Sequence, residues 1–287
     1  NEDGGIEADV TVTRLSELSF MVVTPAATRL ADQTWMLRHS INFNIVIIDV
    51  TSAEGVLAIM GPNSRKLLSQ ISSADLSNQN NPFGTAQEVE IGMGLARIHR
   101  VSFVGELGWE VYATSDQAGH IFEVIADAGQ EMGLKFCGMH MMDSCRIEKG
   151  FRHFGHDITC EDHVLEAGLG FAVQVNKPNF IGRTAVLKKQ DAGLNKRLLQ
   201  FKLNEKEPLL YHNEPIIRDG KISGYISSGN YGHTLGGAIG LGYIECENET
   251  VDDLLRSSYE IEVAGSRIKA AASLRPMYDP KAERVRL

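Results

Sequence analysis

Arg100-Val101-Ser102-Phe103-Val104-Gly105-Glu106-Leu107-Gly108-Trp109-Glu110-Val111-Tyr112 packs two glycines, two glutamates and three aromatics into one stretch. β-branched and aromatic residues punctuated by glycine read as strands joined by a turn, so Glu88 to Tyr112 is expected to form two strands around Gly105 and Gly108. Glu106 reads as a surface residue. Glu110, flanked by Trp109 and Val111, has two readings: a solvent-facing strand residue, or a carboxylate directed into a partly apolar pocket. In the second case it can accept two parallel N–H bonds from an aminopyrimidine edge, the way proteins commonly read a pterin.

Working outward, Val10 to Leu15 and Phe20 to Thr24 read as a hairpin joined at Ser16 to Ser19. Ala26 to Arg38 is helix-like, and the β-branched run Asn44 to Val50 is expected to be a buried strand. Met60-Gly61-Pro62 opens a helix carrying Leu67, Leu68 and Ile71 at helical spacing. A further helix presents Ile121, Phe122, Ile125 and Ala128, and another runs from about Gly138 to Gly150. After about Asn195 the texture becomes all-β, with strands at Leu198 to Leu203, Pro215 to Arg218, Lys221 to Ser227, Ala238 to Ile244 and Tyr259 to Val263. Asp219-Gly220 is a tight-turn signal between two of them. The expectation is an α+β fold in two parts: residues 1–194 with mixed sheets and helices, and residues 195–287 as a small β-barrel or sandwich.

The chain has 287 residues, 43% hydrophobic and 23% charged, which is ordinary globular composition. No apolar run approaches the roughly 20 residues that cross a bilayer. A net charge of −9 with scattered Lys and Arg argues against a nucleic-acid surface, so an anionic ligand must be held by local groups. Cys137, Cys145, Cys160 and Cys246 show no paired spacing; a zinc site or disulfide framework is not expected, and a reducing compartment fits best. The opening Asn1-Glu2-Asp3-Gly4-Gly5 reads as a loop, and the chain is expected to be a fragment or processed product.

Two more clusters carry candidate chemistry. Asp9 follows a glycine pair, on the strand face of Thr11 and Thr13; it either caps a turn or is a carboxylate poised over a cleft. In Asp143-Ser144-Cys145-Arg146-Ile147-Glu148-Lys149-Gly150, helical spacing stacks Asp143, Arg146 and Lys149, which reads as a surface ion-pair ladder. His153 and His156 lie three apart without a suitable third ligand, so packing or ligand contact is expected rather than a metal site. The glycine-rich strings at Gly105–Gly108 and Gly236–Gly242 lack phosphate-loop spacing.

Taken together, the wording and order of these segments resemble the glycine-cleavage T-protein superfamily from Gly4 to the C-terminus. Gly4-Gly5-Ile6-Glu7-Ala8-Asp9 is similar to the family's Gly-Gly-x-x-x-Asp segment, whose Asp approaches the folate nitrogen that accepts the one-carbon unit. Phe103-Val104-Gly105-Glu106-x-Gly108-x-Glu110 resembles the pterin-binding hairpin. Leu165 to Gly170, Phe180 to Arg183, Ser227-Ser228-Gly229 and Gly240 to Tyr243 follow in the family's order. Phe103 stands where Tyr is common and Thr24 where Asn is common. Met141-Met142-Asp143 replaces an Ala-Arg-Asp stretch of true T-proteins. Arg146 to His153 instead resembles the wording of the flavin-linked dimethylglycine and sarcosine dehydrogenases.

The resemblance implies a T-protein-like folate-binding domain with a C-terminal barrel. It implies tetrahydrofolate as cofactor, Asp9 as the catalytic carboxylate, and Glu110, Phe103, Thr24, Tyr112 and Arg146 as cofactor-binding residues. The implied reaction captures an iminium from an N-methyl amine (dimethylglycine or sarcosine) as methylene-tetrahydrofolate, with FAD held by a flavin-binding domain of the parent chain. No Gly-x-Gly-x-x-Gly fingerprint is present here. Bacterial cytoplasm or mitochondrial matrix is the implied location. Two rivals stand beside this reading: a stand-alone aminomethyltransferase served by a lipoyl carrier, and a non-catalytic relative such as the regulatory subunit of pyruvate dehydrogenase phosphatase.

Overall fold

The computed structural model describes residues 1–287, which form two compact units: Asn1–Thr34 with Asp143–Tyr278, and Trp35–Met142 with Asp279–Leu287. These units cut across the linear division expected at residue 195. The chain opens with β1 (Thr11–Arg14) and β2 (Phe20–Val23), an antiparallel hairpin pairing Thr11 with Val23 and Arg14 with Phe20. α1 (Arg29–Ser40) follows.

Asn44–Val50 is not a strand. The β-branched run belongs to no ladder, and Val46 is 84% exposed. β propensity expresses fit to a paired, half-buried surface, and this segment has no pairing partner. The strand lies further on, at β3 (Glu54–Met60).

In the second unit β3 joins β4 (Ala86–Ile91), β5 (Gly94–His99) and β6 (Gly108–Thr114) in an antiparallel sheet of order β3-β6-β5-β4. Glu88 to Tyr112 thus supplies three strands rather than two. The tight turn falls between β4 and β5, and residues 100–107 form a loop before β6. One face is apolar, because alternate residues Ile59, Val89, Ile91, Ala96, Ile98, Trp109 and Val111 point together. α2 (Ser64–Ile71) and α3 (Ala118–Gln130) cover that face through Leu67, Leu68, Ile121 and Ile125. The opposite face carries Glu110 and Tyr112.

In the first unit, α4 (Met139–Glu148) and α5 (Arg183–Ala192) precede a closed six-stranded antiparallel barrel. Its strands are β7 (Lys196–Leu203), β8 (Pro215–Arg218), β9 (Lys221–Gly232), β10 (Gly237–Glu245), β11 (Tyr259–Val263) and β12 (Ser266–Ser273). Hydrogen bonding runs β10-β7-β12-β11-β8-β9 and closes, which removes every exposed edge. α6 (Val251–Arg256) is set by a capping box in which Thr250 and Asp253 exchange side-chain and backbone bonds. Leu199, Phe201 and Leu203 fill the barrel with Ile216, Ile226 and Ile261.

The outer wall of β7 and β10 is also buried. Leu198, Ile239 and Leu241 pack on Ile147 of α4, and polar groups fasten the same seam. Gln200 Nε2 donates to the Ile147 and Glu148 carbonyls at 2.6 and 3.0 Å, satisfying acceptors that a helix end leaves open. Ser144 Oγ donates to the Tyr231 carbonyl at 2.6 Å. Glu148 Oε1 accepts from the Thr234 and Leu235 amides at 2.7 and 2.9 Å. Arg146 pairs with Asp143 at 2.7 Å and with the fully buried Asp157, whose other oxygen accepts from Ser227 of β9. The Asp143–Arg146 pair forms as its spacing predicts, but Arg146 and Lys149 are both buried, so the ladder is not on the surface.

Breaking a buried pair leaves an uncompensated charge and costs about 3 to 5 kcal/mol. Arg146→Met is therefore expected to lower unfolding free energy by about that amount in urea denaturation. A loss below about 1 kcal/mol would show that the pair does not hold the seam.

Candidate functional site

In the second unit the loop 100–107 is pinned at both ends. The Arg100 amide donates to the Thr85 carbonyl at 2.9 Å, and the Arg100 carbonyl accepts from Gly84 at the same distance. Its guanidinium donates to the Asn81 and Leu287 carbonyls at 2.7 Å each and lies 5.6 Å from the Trp109 ring centre. Trp109 Nε1 donates to Asn81 Oδ1 at 2.6 Å. At the far end, the Leu107 carbonyl accepts from the Gly61 amide at 2.8 Å and Ser64 Oγ at 3.2 Å. Gly108 is required there, because a Cβ would lie 2.7 Å from the Ile59 carbonyl oxygen. Phe103 is half-buried within this loop.

Strand alternation then decides what surrounds Glu110. Trp109 and Val111 go into the core, so they do not flank the carboxylate as their sequence positions suggest. Its neighbours lie across the strands: Glu110 is registered opposite Ala58 of β3 and His99 of β5. The Tyr112 hydroxyl donates to Glu110 Oε2 at 2.6 Å. Burial, reinforced by that bond and by the Glu110 charge, pushes the phenol far above its usual range, so Tyr112 stays a donor. One oxygen of Glu110 is thereby oriented. Oε1 and the second lone pair of Oε2 are left to accept from a ligand.

His99, on the same face, was not among the sequence candidates. Its ring packs on Tyr112 with centroids 4.4 Å apart, and neither ring nitrogen has a hydrogen-bond partner. An unmet buried polar group costs on the order of 1 to 3 kcal/mol. Alternation along β5, with Leu95, Arg97 and His99 on one side, was the available signal. It points at Glu110 only once the β5–β6 register is known.

In the first unit, the segment before Asp9 is strapped to residues 160–164. The Ile6 amide donates to the Asp162 carbonyl and the Val164 amide to the Gly4 carbonyl, both at 3.2 Å, and Gly5 bridges His163. Gly5 has no room for a side chain, since a Cβ would lie 2.0 Å from the Cys160 carbonyl oxygen. This fixes where β1 begins and where Asp9 projects.

Asp9 makes no side-chain hydrogen bond to the chain, so it does not cap a turn. Its carboxyl keeps access to water, yet the surrounding protein desolvates it enough to raise its pKa above the usual carboxylate value, a shift opposed by His153. His153 is itself pushed down by burial and by the charges of Arg146 and His156, and its ring stacks on His156 with centroids 4.7 Å apart. Its backbone amide donates to Asp157 at 2.9 Å. A cavity of about 450 Å³ lies beside the strap, lined by Ile6, Glu7, Ala8, Val173, Lys177 and Phe180 among others; Asp9 is not in its wall.

Two other sequence candidates are committed to internal partners. Thr24 donates to the buried Asp32, which also accepts from Thr28 at 2.6 Å, forming a cluster at the start of α1. Arg146 spends its guanidinium on Asp143, Asp157 and the Phe151 carbonyl. Glu110 and Tyr112 are thus brought into direct contact, and Asp9 is left as an unpaired carboxylate in the field of His153.

Comparison with known proteins assigns this arrangement to a family. Residues 1–177 match the model of the GCVT N-terminal domain and residues 196–279 that of the glycine cleavage T-protein C-terminal barrel domain. The chain is 40% identical over 287 residues to 4-methylaminobutanoate oxidase (formaldehyde-forming) of Paenarthrobacter nicotinovorans, covering 100% of this chain and 34% of that one. It is 34% identical over 252 residues to an aminomethyltransferase of Halothermothrix orenii, covering 87% of this chain and 69% of that one. Mammalian mitochondrial sarcosine and dimethylglycine dehydrogenases are further relatives, at about 30% identity over about a third of their length. The crystal structure of the glycine cleavage system aminomethyltransferase T from Bartonella henselae superposes with a TM-score of 0.84 at 23% identity, covering 98% of this chain and 74% of that one. The chain spans about a third of the oxidase that it matches over its whole length. With both halves matched and the barrel closed as the second model requires, this chain belongs to the glycine-cleavage T-protein family.

Proposed function

We propose that this chain is the tetrahydrofolate-dependent one-carbon transferase part of a demethylating oxidoreductase. In this reading it captures an iminium derived from an N-methyl amine such as dimethylglycine or sarcosine as methylene-tetrahydrofolate, and residues 1–194 with the barrel at 195–287 are its folate-binding and C-terminal domains. The single observation that carries the reading is Glu110, a half-buried carboxylate oriented by Tyr112 with acceptor capacity remaining. That capacity fits the parallel N–H donors of a reduced pterin. Phe103 would contribute contact area from the adjoining loop. The polar atoms of Thr24 and Arg146 are engaged in the Asp32 cluster and the Asp157 pair, so in this reading neither offers the ligand a direct hydrogen bond.

FAD, held elsewhere in a parent protein, would supply the oxidation of the amine. Asp9 would then do three things. It attracts the iminium, with a pull of about 4 kcal/mol at about 4 Å and an effective dielectric of about 20. It orients the accepting nitrogen, and it takes the proton that nitrogen loses on attack. A pKa raised by desolvation suits the last task, because a stronger base accepts a proton more readily. The matched aminomethyltransferase supports a second reading, in which a lipoyl carrier delivers the one-carbon unit to tetrahydrofolate. Product formation from an N-methyl amine, against product formation only from a loaded carrier, separates the two. A purely regulatory relative would need neither Asp9 nor Glu110.

Asp9→Asn is expected to leave tetrahydrofolate affinity within a few fold and to depress methylene-tetrahydrofolate formation by about 10²-fold, measured with an N-methyl amine oxidised in the same reaction. Unchanged turnover would remove Asp9 from the chemistry. The sign of its pKa shift makes a further statement. The active carboxylate is lost as pH falls through a value above the ordinary one for Asp, so the acid limb of the rate profile should lie above the position of an unperturbed Asp in the native chain and be missing from the variant. Glu110→Gln is expected to weaken tetrahydrofolate binding by roughly 1 to 3 kcal/mol in a calorimetric titration; equal affinity would place the ligand elsewhere.

A further inference from the structure

The face of the second unit's sheet that carries Glu110 holds a group the proposed chemistry does not use. Along β5, Ala96 and Ile98 enter the core while Leu95, Arg97 and His99 take the other side. Leu95 is 53% exposed there, but His99 is only 1% exposed. It stands directly across from Glu110 in the β5–β6 register. Its ring lies against Tyr112, tilted 35° with centroids 4.4 Å apart. Tyr112 donates its hydroxyl to Glu110 at 2.6 Å. The three side chains form one contact chain, and the imidazole at its end has both nitrogens unmet.

Burial and the Arg97 charge hold His99 below its ordinary pKa, so the ring is neutral and one nitrogen is an open acceptor. A leucine would offer the Tyr112 ring a similar packing surface without the unmet polar atoms. Retaining a buried, unpaired imidazole makes physical sense if its hydrogen bond forms in another state of the site. The ligand-bound state supplies one. Two parallel N–H donors engage both oxygens of a carboxylate at once, so a ligand that takes the Oε2 lone pair now used by Tyr112 leaves the phenol, in a buried place, in need of a new acceptor.

We infer that His99 is a positioning residue of the Glu110 site, whose imidazole accepts the Tyr112 hydroxyl when a ligand bearing paired N–H donors engages the Glu110 carboxylate. This rests on the reading of Glu110 as the folate-binding carboxylate. Residue 99 therefore acts on affinity through residue 112 and not by touching the ligand. The arrangement is a hydrogen-bond exchange in which no proton changes owner: the phenol keeps its hydrogen and only its acceptor changes from carboxylate to imidazole.

The test is a calorimetric titration with tetrahydrofolate on the protein and its variants, with melting temperature recorded for each. His99→Leu is expected to weaken binding about 10-fold, about 1.4 kcal/mol, without lowering the melting temperature of the ligand-free protein. His99→Gln, which keeps an acceptor, is expected to restore most of the affinity. In a Tyr112→Phe background, His99→Leu is expected to have no further effect. Independently of any variant, ring ¹⁵N shifts of His99 should change at the acceptor nitrogen on saturation with tetrahydrofolate. Wild-type affinity in His99→Leu, an undiminished loss in the Tyr112→Phe background, or an unmoved ¹⁵N resonance overturns the role of His99 while leaving Glu110 in place. Absence of tetrahydrofolate binding by the native protein overturns both this role and the folate reading.

Discussion

The first unit depends on a polar seam between a helix and the outside of a barrel. A barrel closes by turning apolar side chains inward, and its outer wall is ordinarily left to water. Here β7 and β10 bury both faces: Phe201 and Leu203 fill the inside while Leu198, Ile239 and Leu241 meet Ile147 outside. A helix pressed on that wall must dispose of its own terminal carbonyls and charges. Gln200 takes the carbonyls of Ile147 and Glu148, the Thr234 and Leu235 amides take the Glu148 carboxylate, and Asp157 takes Arg146. Each of these groups would be costly if left unmet, so α4 is confined to one register on the wall.

That confinement propagates toward Asp9. The oxygen of Asp157 that accepts from Arg146 also holds the backbone of His153, and His153 is the group whose charge bears on Asp9. From the other side, the strap of Gly4 and Ile6 onto residues 162–164 fixes the start of β1. In the second unit the equivalent service is done by Arg100, Trp109 and Asn81, which tie down the loop entering β6. In both places a candidate carboxylate stands next to rigid backbone, which is what precise orientation of a small ligand requires.

Much of this was legible in the residues. The hairpin at Val10 to Thr24, the helix-to-barrel change near Asn195 and five of the barrel strands could be read from alternation and from the Asp219-Gly220 turn. β12 could not, because Ala270-Ala271-Ala272 has little strand character of its own and is held by pairing with β7. Asn44–Val50 misled in the opposite sense: its propensity is strong, and no strand pairs with it. At the candidate site, Glu110 was singled out by the family's hairpin motif, but its contact with Tyr112 was not legible, since a hydrogen bond between residues two apart on one strand face depends on side-chain rotation. His99 needed the cross-strand register. Arg146 was legible as the partner of Asp143 but not as buried, because Asp157 comes to it through a loop and not along the helix.

How the carboxylates are partnered separates scaffold from candidate chemistry. In the first unit the buried acids each have donors: Asp32 has Thr24 and Thr28, Asp157 has Arg146 and Ser227, Asp162 has Lys196, Glu166 has Lys189, and Glu148 has two backbone amides. Such groups hold their positions by hydrogen bonding. Asp9 is exposed, is desolvated enough to shift its pKa upward, and accepts no hydrogen bond from the chain. A carboxylate in that condition gains nothing from the fold, and it gains most from a cation or an acidic N–H brought to it. Glu110 is intermediate, with a single donor that orients it and leaves it unsaturated. The stability of the chain is served by the paired acids, and the two under-partnered ones keep acceptor sites for a ligand.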